Sequence, residues 1–112
     1  MMRITIPVAT VSEANRRDHW SLKAKRAKGH RKAAFWALQA EVASKVVPDS
    51  VTMTRVAPRP LDDDNLRSAL KAVRDGIADY FGINDRDPRV TWRYGQERGE
   101  VRQNYVVVVI EP

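Results

Sequence analysis

Val106 to Val109 is an unbroken β-branched run inside the longest apolar stretch of the chain, Tyr105 to Ile110. β-branched side chains are stiff at χ1 and pack well on a pleated surface, so the run reads as a strand. A strand that is apolar on both sides without alternation belongs in the middle of a sheet, covered on both faces. The chain must therefore build a sheet around this segment, and the rest of the sequence supplies the partners. Arg3-Ile4-Thr5-Ile6 alternates and stops at Pro7, a short first strand followed by a loop from Val8 to Arg17. Val51 to Val56 is β-rich and ends before Pro58 and Pro60, and Val90 to Tyr94 makes a third strand. Gln96 to Glu100, with Gly99, reads as a turn into a fourth strand from Arg102 to Ile110, and the last two strands are expected to form an antiparallel hairpin.

Two helical patterns separate these strands. Phe35, Leu38, Val42 and Val46 recur at helical spacing and predict a helix from about His30 to Val46, ended by Pro48-Asp49. Leu66, Leu70, Val73 and Ile77 predict a second helix, capped by Asp63 or Asp64 and stopped by Gly82. The expected fold is α+β, a small mixed sheet of about four strands in the order β-α-β-α-β-β, flanked by two helices. At 112 residues this is one domain, residues 1–112. There is no Cys, which excludes disulfides and thiol catalysis, and no apolar run reaches the length of a membrane span. No signal-peptide h-region is seen at the N-terminus, so the expected location is the cytoplasm.

Charge is distributed unevenly. The chain carries +6 at neutral pH, yet seven of its fourteen acidic residues lie between Asp62 and Asp87. Carboxylates crowded together inside a basic protein need an offsetting cation. In an extended lead-in to a helix, Asp62 and Asp64 point to the same side. With a third carboxylate they could supply hard oxygen ligands for Mg²⁺ or Mn²⁺. The plainer alternative is a helix cap within a solvated acidic turn. Asp85 and Asp87 form a second pair, which the turn before Pro88 would also explain. Lys71 shares the polar face of the second helix with Asp64, Ser68 and Asp75. There it could meet a scissile phosphate, or simply pair with Asp75 at i,i+4.

From Arg16 to Lys32 lie eight of the twenty Lys and Arg: Arg16, Arg17, Lys23, Lys25, Arg26, Lys28, Arg31 and Lys32. This segment can neutralise phosphates, and His19 and Trp20 within it could stack on bases or sugars. A solubilising surface is the alternative. Two histidines are too few for a His-based metal site, and there is no Gly-rich phosphate loop.

Asp62-x-Asp64-Asn65-Leu66, an amphipathic helix, and then an acidic pair ahead of Val90 resemble the RusA family of Holliday junction resolvases. Val11-Ser12-Glu13-Ala14-Asn15-Arg16 looks like that family's early Ser/Asn loop, and the resemblance runs from about residue 4 to residue 110. It implies a small homodimeric endodeoxyribonuclease of phage or prophage recombination and repair that cuts four-way DNA junctions with Mg²⁺. It implies Asp62 and Asp64 as metal ligands, Asp85 or Asp87 as the third, and Asn15 with the basic segment on the DNA. The family lysine falls where this chain has Ser68; Lys71, one turn later, would take its place. The competing expectations are a non-catalytic DNA- or RNA-binding protein and a related nuclease preferring flaps or other branches. For a dimer seam the candidates are Phe35, Trp36 and Leu38, or Trp20, Trp92 and Tyr94.

Overall fold

The structure is a computed structural model and describes residues 1–11 and 19–112. The order is β1 (Met2–Ile6), α1 (Trp20–Glu41), β2 (Ser50–Ala57), α2 (Asp63–Phe81), β3 (Thr91–Arg98) and β4 (Tyr105–Glu111). This is the expected α+β fold, with a mixed four-stranded sheet and two helices.

The strand order is β1-β4-β2-β3. β4 lies antiparallel between β1 and β2, with Val108 opposite both Ile4 and Met53. β2 and β3 run parallel, with Val51 opposite Trp92. The expected β3–β4 hairpin is therefore not formed. β2-α2-β3 closes first as a parallel unit, and the short connection after β3 then steps over the end of β2. Gly99 N–H donates to Ala57 O there, and the glycine lies against Val56. Gln96, expected in a turn, belongs to β3.

β4 is central as expected, but the helices cover only one of its faces. Ile4, Ile6, Val51, Met53, Val106, Val108 and Ile110 form one buried cluster with Ala34 and Leu38 of α1 and with Leu66, Leu70, Val73 and Ile77 of α2. On the other face Val107 lies in register between Thr5 and Thr54, beneath no helix among the described residues.

α1 differs most from expectation. It starts ten residues before His30, because Lys, Arg, Ala and Leu propagate a helix without an apolar stripe. His19 caps it, with Nδ1 accepting from Ser21 N–H at 3.2 Å. It ends at Glu41 rather than Val46. Tyr80 donates its hydroxyl to Val42 O at 2.6 Å, and the Val46 N–H bonds Ser44 Oγ. Both groups that another helical turn would have joined are thus used elsewhere, and Val46 is exposed.

α1 and α2 touch backbone to backbone. A Cβ on Gly76 would lie 2.2 Å from Arg31 O and 2.8 Å from Ala34 Cβ. Beside this contact Arg31 makes a two-pronged ion pair with Asp79, at 2.5 and 2.7 Å. α2 ends at Gly82, whose φ of 68° is the left-handed conformation glycine adopts freely.

Candidate functional site

The acidic cluster lies where β2 delivers the chain to α2. Two side chains fix that delivery. Arg55, buried within the sheet, donates to Thr10 Oγ1, Thr10 O and Arg59 O, at 3.0, 3.3 and 2.7 Å. Gln96 of β3 brackets Leu61, taking its N–H at 2.9 Å and donating to its carbonyl at 2.6 Å. Neither clamp is visible in the sequence pattern, because each joins residues far apart in the chain.

Asp62, rather than Asp63 or Asp64, is the N-cap of α2, its Oδ1 accepting from Asn65 N–H at 2.9 Å. Asp63 and Asp64 occupy the first turn, both exposed. Carboxylates there are favoured by the helix dipole.

Asp85 reaches the same helix from its other end. The loop after Gly82 folds back along α2, and Arg74 holds it by donating Nε and Nη2 to the Asp85 carbonyl. Arg74 also donates Nη1 to Tyr94 Oη at 2.7 Å and lies over the Trp92 ring. The Asp85 carboxylate thereby arrives at Lys71. The ammonium donates to Asp85 Oδ2 at 2.7 Å and to Asp75 Oδ1 at 2.5 Å, joining two carboxylates on the polar face that also carries Asp64 and Ser68. The i,i+4 pairing of Lys71 with Asp75 is thus present, together with a longer-range partner.

The charges respond accordingly. The bond from Lys71 is the main reason the Asp85 carboxyl lies below its ordinary range, with burial opposing and Arg74 and Arg86 assisting. Burial pushes the Lys71 ammonium down, but the bonds to Asp75 and Asp85 outweigh it and its pKa is raised. Asp87 turns away to Arg89, whose side chain and backbone N–H hold it down at about 2. Asp85 and Asp87 therefore point to different partners. Among the described residues no three Asp, Glu or His side chains come together closely enough to hold a metal ion.

Across from Lys71 runs a groove of about 460 Å³ between the helices, lined by Lys23, Ala27 and His30 of α1 and by Ser68, Lys71 and Asp75 of α2. Lys23, Lys25, Arg26, Lys28, Arg31 and Lys32 all lie on α1. Asn15, Arg16 and Arg17 lie outside the described residues. Of the seam candidates, Leu38 is fully buried, while Trp36 and Trp20 stand 63% and 74% exposed. Phe35, Trp92 and Tyr94 are half-buried against the core. No helix among the described residues is long and apolar enough to cross a membrane. No family model, curated protein or solved structure matches the chain.

Proposed function

We propose that this protein is a Mg²⁺-dependent endodeoxyribonuclease that cuts branched DNA, four-way junctions above all, as a homodimer. One observation carries the reading. The loop after α2 doubles back to set Asp85 beside Lys71 and Asp75, on the polar face that begins at Asp64, and basic α1 lies across the adjoining groove. The RusA-like order of residues supports it independently.

The donor set suits a hard cation. Every candidate ligand is a carboxylate oxygen, and Asp64 accepts no bond from the described residues. Mg²⁺ is commonly held by one or two carboxylates, with water and substrate phosphate completing its shell, so a preformed cluster of three is not required. Asp62 and Asp64 would hold the ion, with Asp85 as the third ligand. Asp85 is preferred to Asp87 because it lies at the polar face of α2 beside Lys71, whereas Asp87 turns away to Arg89. Once bound, the ion would supply Lewis acidity and a more acidic water.

The chain's own residues do the rest. Lys71, half-exposed, can exchange a carboxylate oxygen for a phosphate oxygen and offset charge growing on it. Arg74 keeps Asp85 at the site through its main chain, where its carboxylate is shared with Lys71. Arg55 and Gln96 fix the approach to Asp62. The α1 cations neutralise backbone phosphates on either side of the scissile bond.

A binding-only role is the second reading, favoured by the capping bond that occupies one Asp62 oxygen. A cleavage panel of four-way junction, flap, duplex and single strand, with Mg²⁺ and with EDTA, separates the two. The expected result is EDTA-sensitive cutting of the junction. Asp64→Asn should reduce it by more than the about 10–100-fold that loss of a ligand's supporting partner costs. Wild-type cutting by Asp64→Asn would rule out the site, and no cutting of any substrate would leave the binding-only role.

A further inference from the structure

The side of α2 facing β3 holds a second cavity that the proposed chemistry does not use. It has a volume of about 410 Å³ and is lined by Asp63, Leu66, Arg67, Trp92, Arg93 and Tyr94. It lies between a helix and an edge strand, with the two aromatic rings of β3 and the Arg67 guanidinium of α2 at its wall. The Arg67 guanidinium lies 5.6 Å from the centre of the Tyr94 ring. Neither Arg67 nor Arg93 is held by a carboxylate among the described residues. Trp92 is half-buried at the cavity wall. Its Nε1 is enclosed and has no acceptor among the described residues, a state that costs free energy and is rare in folded proteins. The ring that bears this orphan donor lines the cavity.

We propose that this cavity is a subsite for one unpaired nucleotide of the DNA. The inference rests on the reading of the partner as branched DNA and names a feature of that substrate. A base offers a π-face to Tyr94 and Trp92. The phosphate that accompanies it is matched by Arg67. Asp63 at the rim disfavours a second phosphate and is an acceptor for an exocyclic amino group. A paired base in duplex exposes only its edges and cannot stack here. Arg74 links the cavity to the acidic site, since it holds Asp85 on one side and lies over Trp92 on the other. A nucleotide displaced from its stack at a branch point would thus be seated next to the bond to be cut.

The test uses the whole chain. Trp20→Phe with Trp36→Phe leaves Trp92 as the sole indole, since the chain has three Trp residues. A single-stranded oligodeoxynucleotide of about twelve residues should change Trp92 emission, and a blunt duplex should not. In parallel, Arg67→Ala removes an exposed side chain that the core does not need. It should weaken single-strand binding about tenfold and duplex binding far less. Unchanged Trp92 emission with single strand overturns the proposal, as does equal weakening for both DNAs. Cleavage of junctions with Mg²⁺ but no Trp92 response rejects the subsite and leaves the nuclease reading standing. A Trp92 response without cleavage of any substrate does the reverse.

Discussion

Replacing Gly76 by Ala probes the contact that sets the distance between α1 and α2, and so the width of the groove beside Lys71. The added Cβ would sit 2.2 Å from Arg31 O, 2.8 Å from Ala34 Cβ and 3.0 Å from Arg31 C. Two of these three atoms are backbone in the middle of a helix, so no rotamer change relieves the overlap. The helices must separate or shift along one another. Overpacking a well-filled site costs about 1–3 kcal/mol, and a backbone clash belongs at the top of that range. Ala is a better helix former than Gly by about 1 kcal/mol, which opposes the loss. The net expectation is a destabilisation of about 2 kcal/mol, or a fall in Tm of about 8 °C for a domain of this size. Urea unfolding followed by far-UV circular dichroism measures it directly. The midpoint should fall with an unchanged slope, because the folded state remains compact. A midpoint equal to or above that of the wild type would mean that helix propensity dominates and that the two backbones are not in contact. Junction binding should weaken as well, since the α1 cations move relative to Lys71.

Three further outcomes follow from the hydrogen bonds and charges. Lys71→Met should raise the Asp85 pKa, read by carboxyl NMR titration. In the wild type the depressed Asp85 contributes stability above the unfolded carboxyl value of about 3.9 and loses it as pH falls through the lower folded value, so this part of the acid limb should disappear in the variant. Tyr80→Phe leaves Val42 O without its buried donor and should cost about 1.5 kcal/mol by chemical denaturation. Alanine at Lys25, Arg26 and Lys28 together should weaken binding alike across DNA sequences and reduce the log–log salt slope by about 2–3; an unchanged slope would place the DNA elsewhere.

α2 was the most legible element because all its signals agree. Leu66, Leu70, Val73 and Ile77 keep strict helical spacing, an acidic cap precedes them and Gly82 follows. Only the cap was displaced, to Asp62. α1 was half legible. A stripe can be read only where a helix packs its apolar side chains, and the first turns of α1 carry mostly exposed Lys, Arg and Ala, so no such stripe marks them. The strands were found near their expected places, with β3 running on to Arg98 and β4 starting at Tyr105 rather than Arg102, but their order was not. The short link from Arg98 to Tyr105 has a length that suits a hairpin, and nothing local shows that it passes over Val56 instead. In the site, Lys71–Asp75 could be read from spacing, whereas Lys71–Asp85 could not. The second contact depends on a loop turning back, and what turns it is Arg74 gripping a main-chain carbonyl eleven residues away.

Under the proposed reading the same arrangement separates binding from cutting. The centre of the site is negative, with Asp64 exposed and Asp75 and Asp85 balanced by the single charge of Lys71. Without a divalent ion this centre would repel the phosphate that the proposed reaction attacks. Attraction would then come from its flanks, α1 on one side and Arg67 on the other. Asp64→Asn removes a negative charge from the centre and leaves both flanks intact. In EDTA the variant should therefore bind a four-way junction at least as tightly as the wild type, and the difference should shrink as salt screens it. Added Mg²⁺ should tighten binding by the wild type more than by the variant, because the variant has lost a ligand. If Asp64→Asn instead weakens junction binding in EDTA, the carboxylate contacts DNA groups directly. Asp64 would then belong to the binding surface rather than to the metal site.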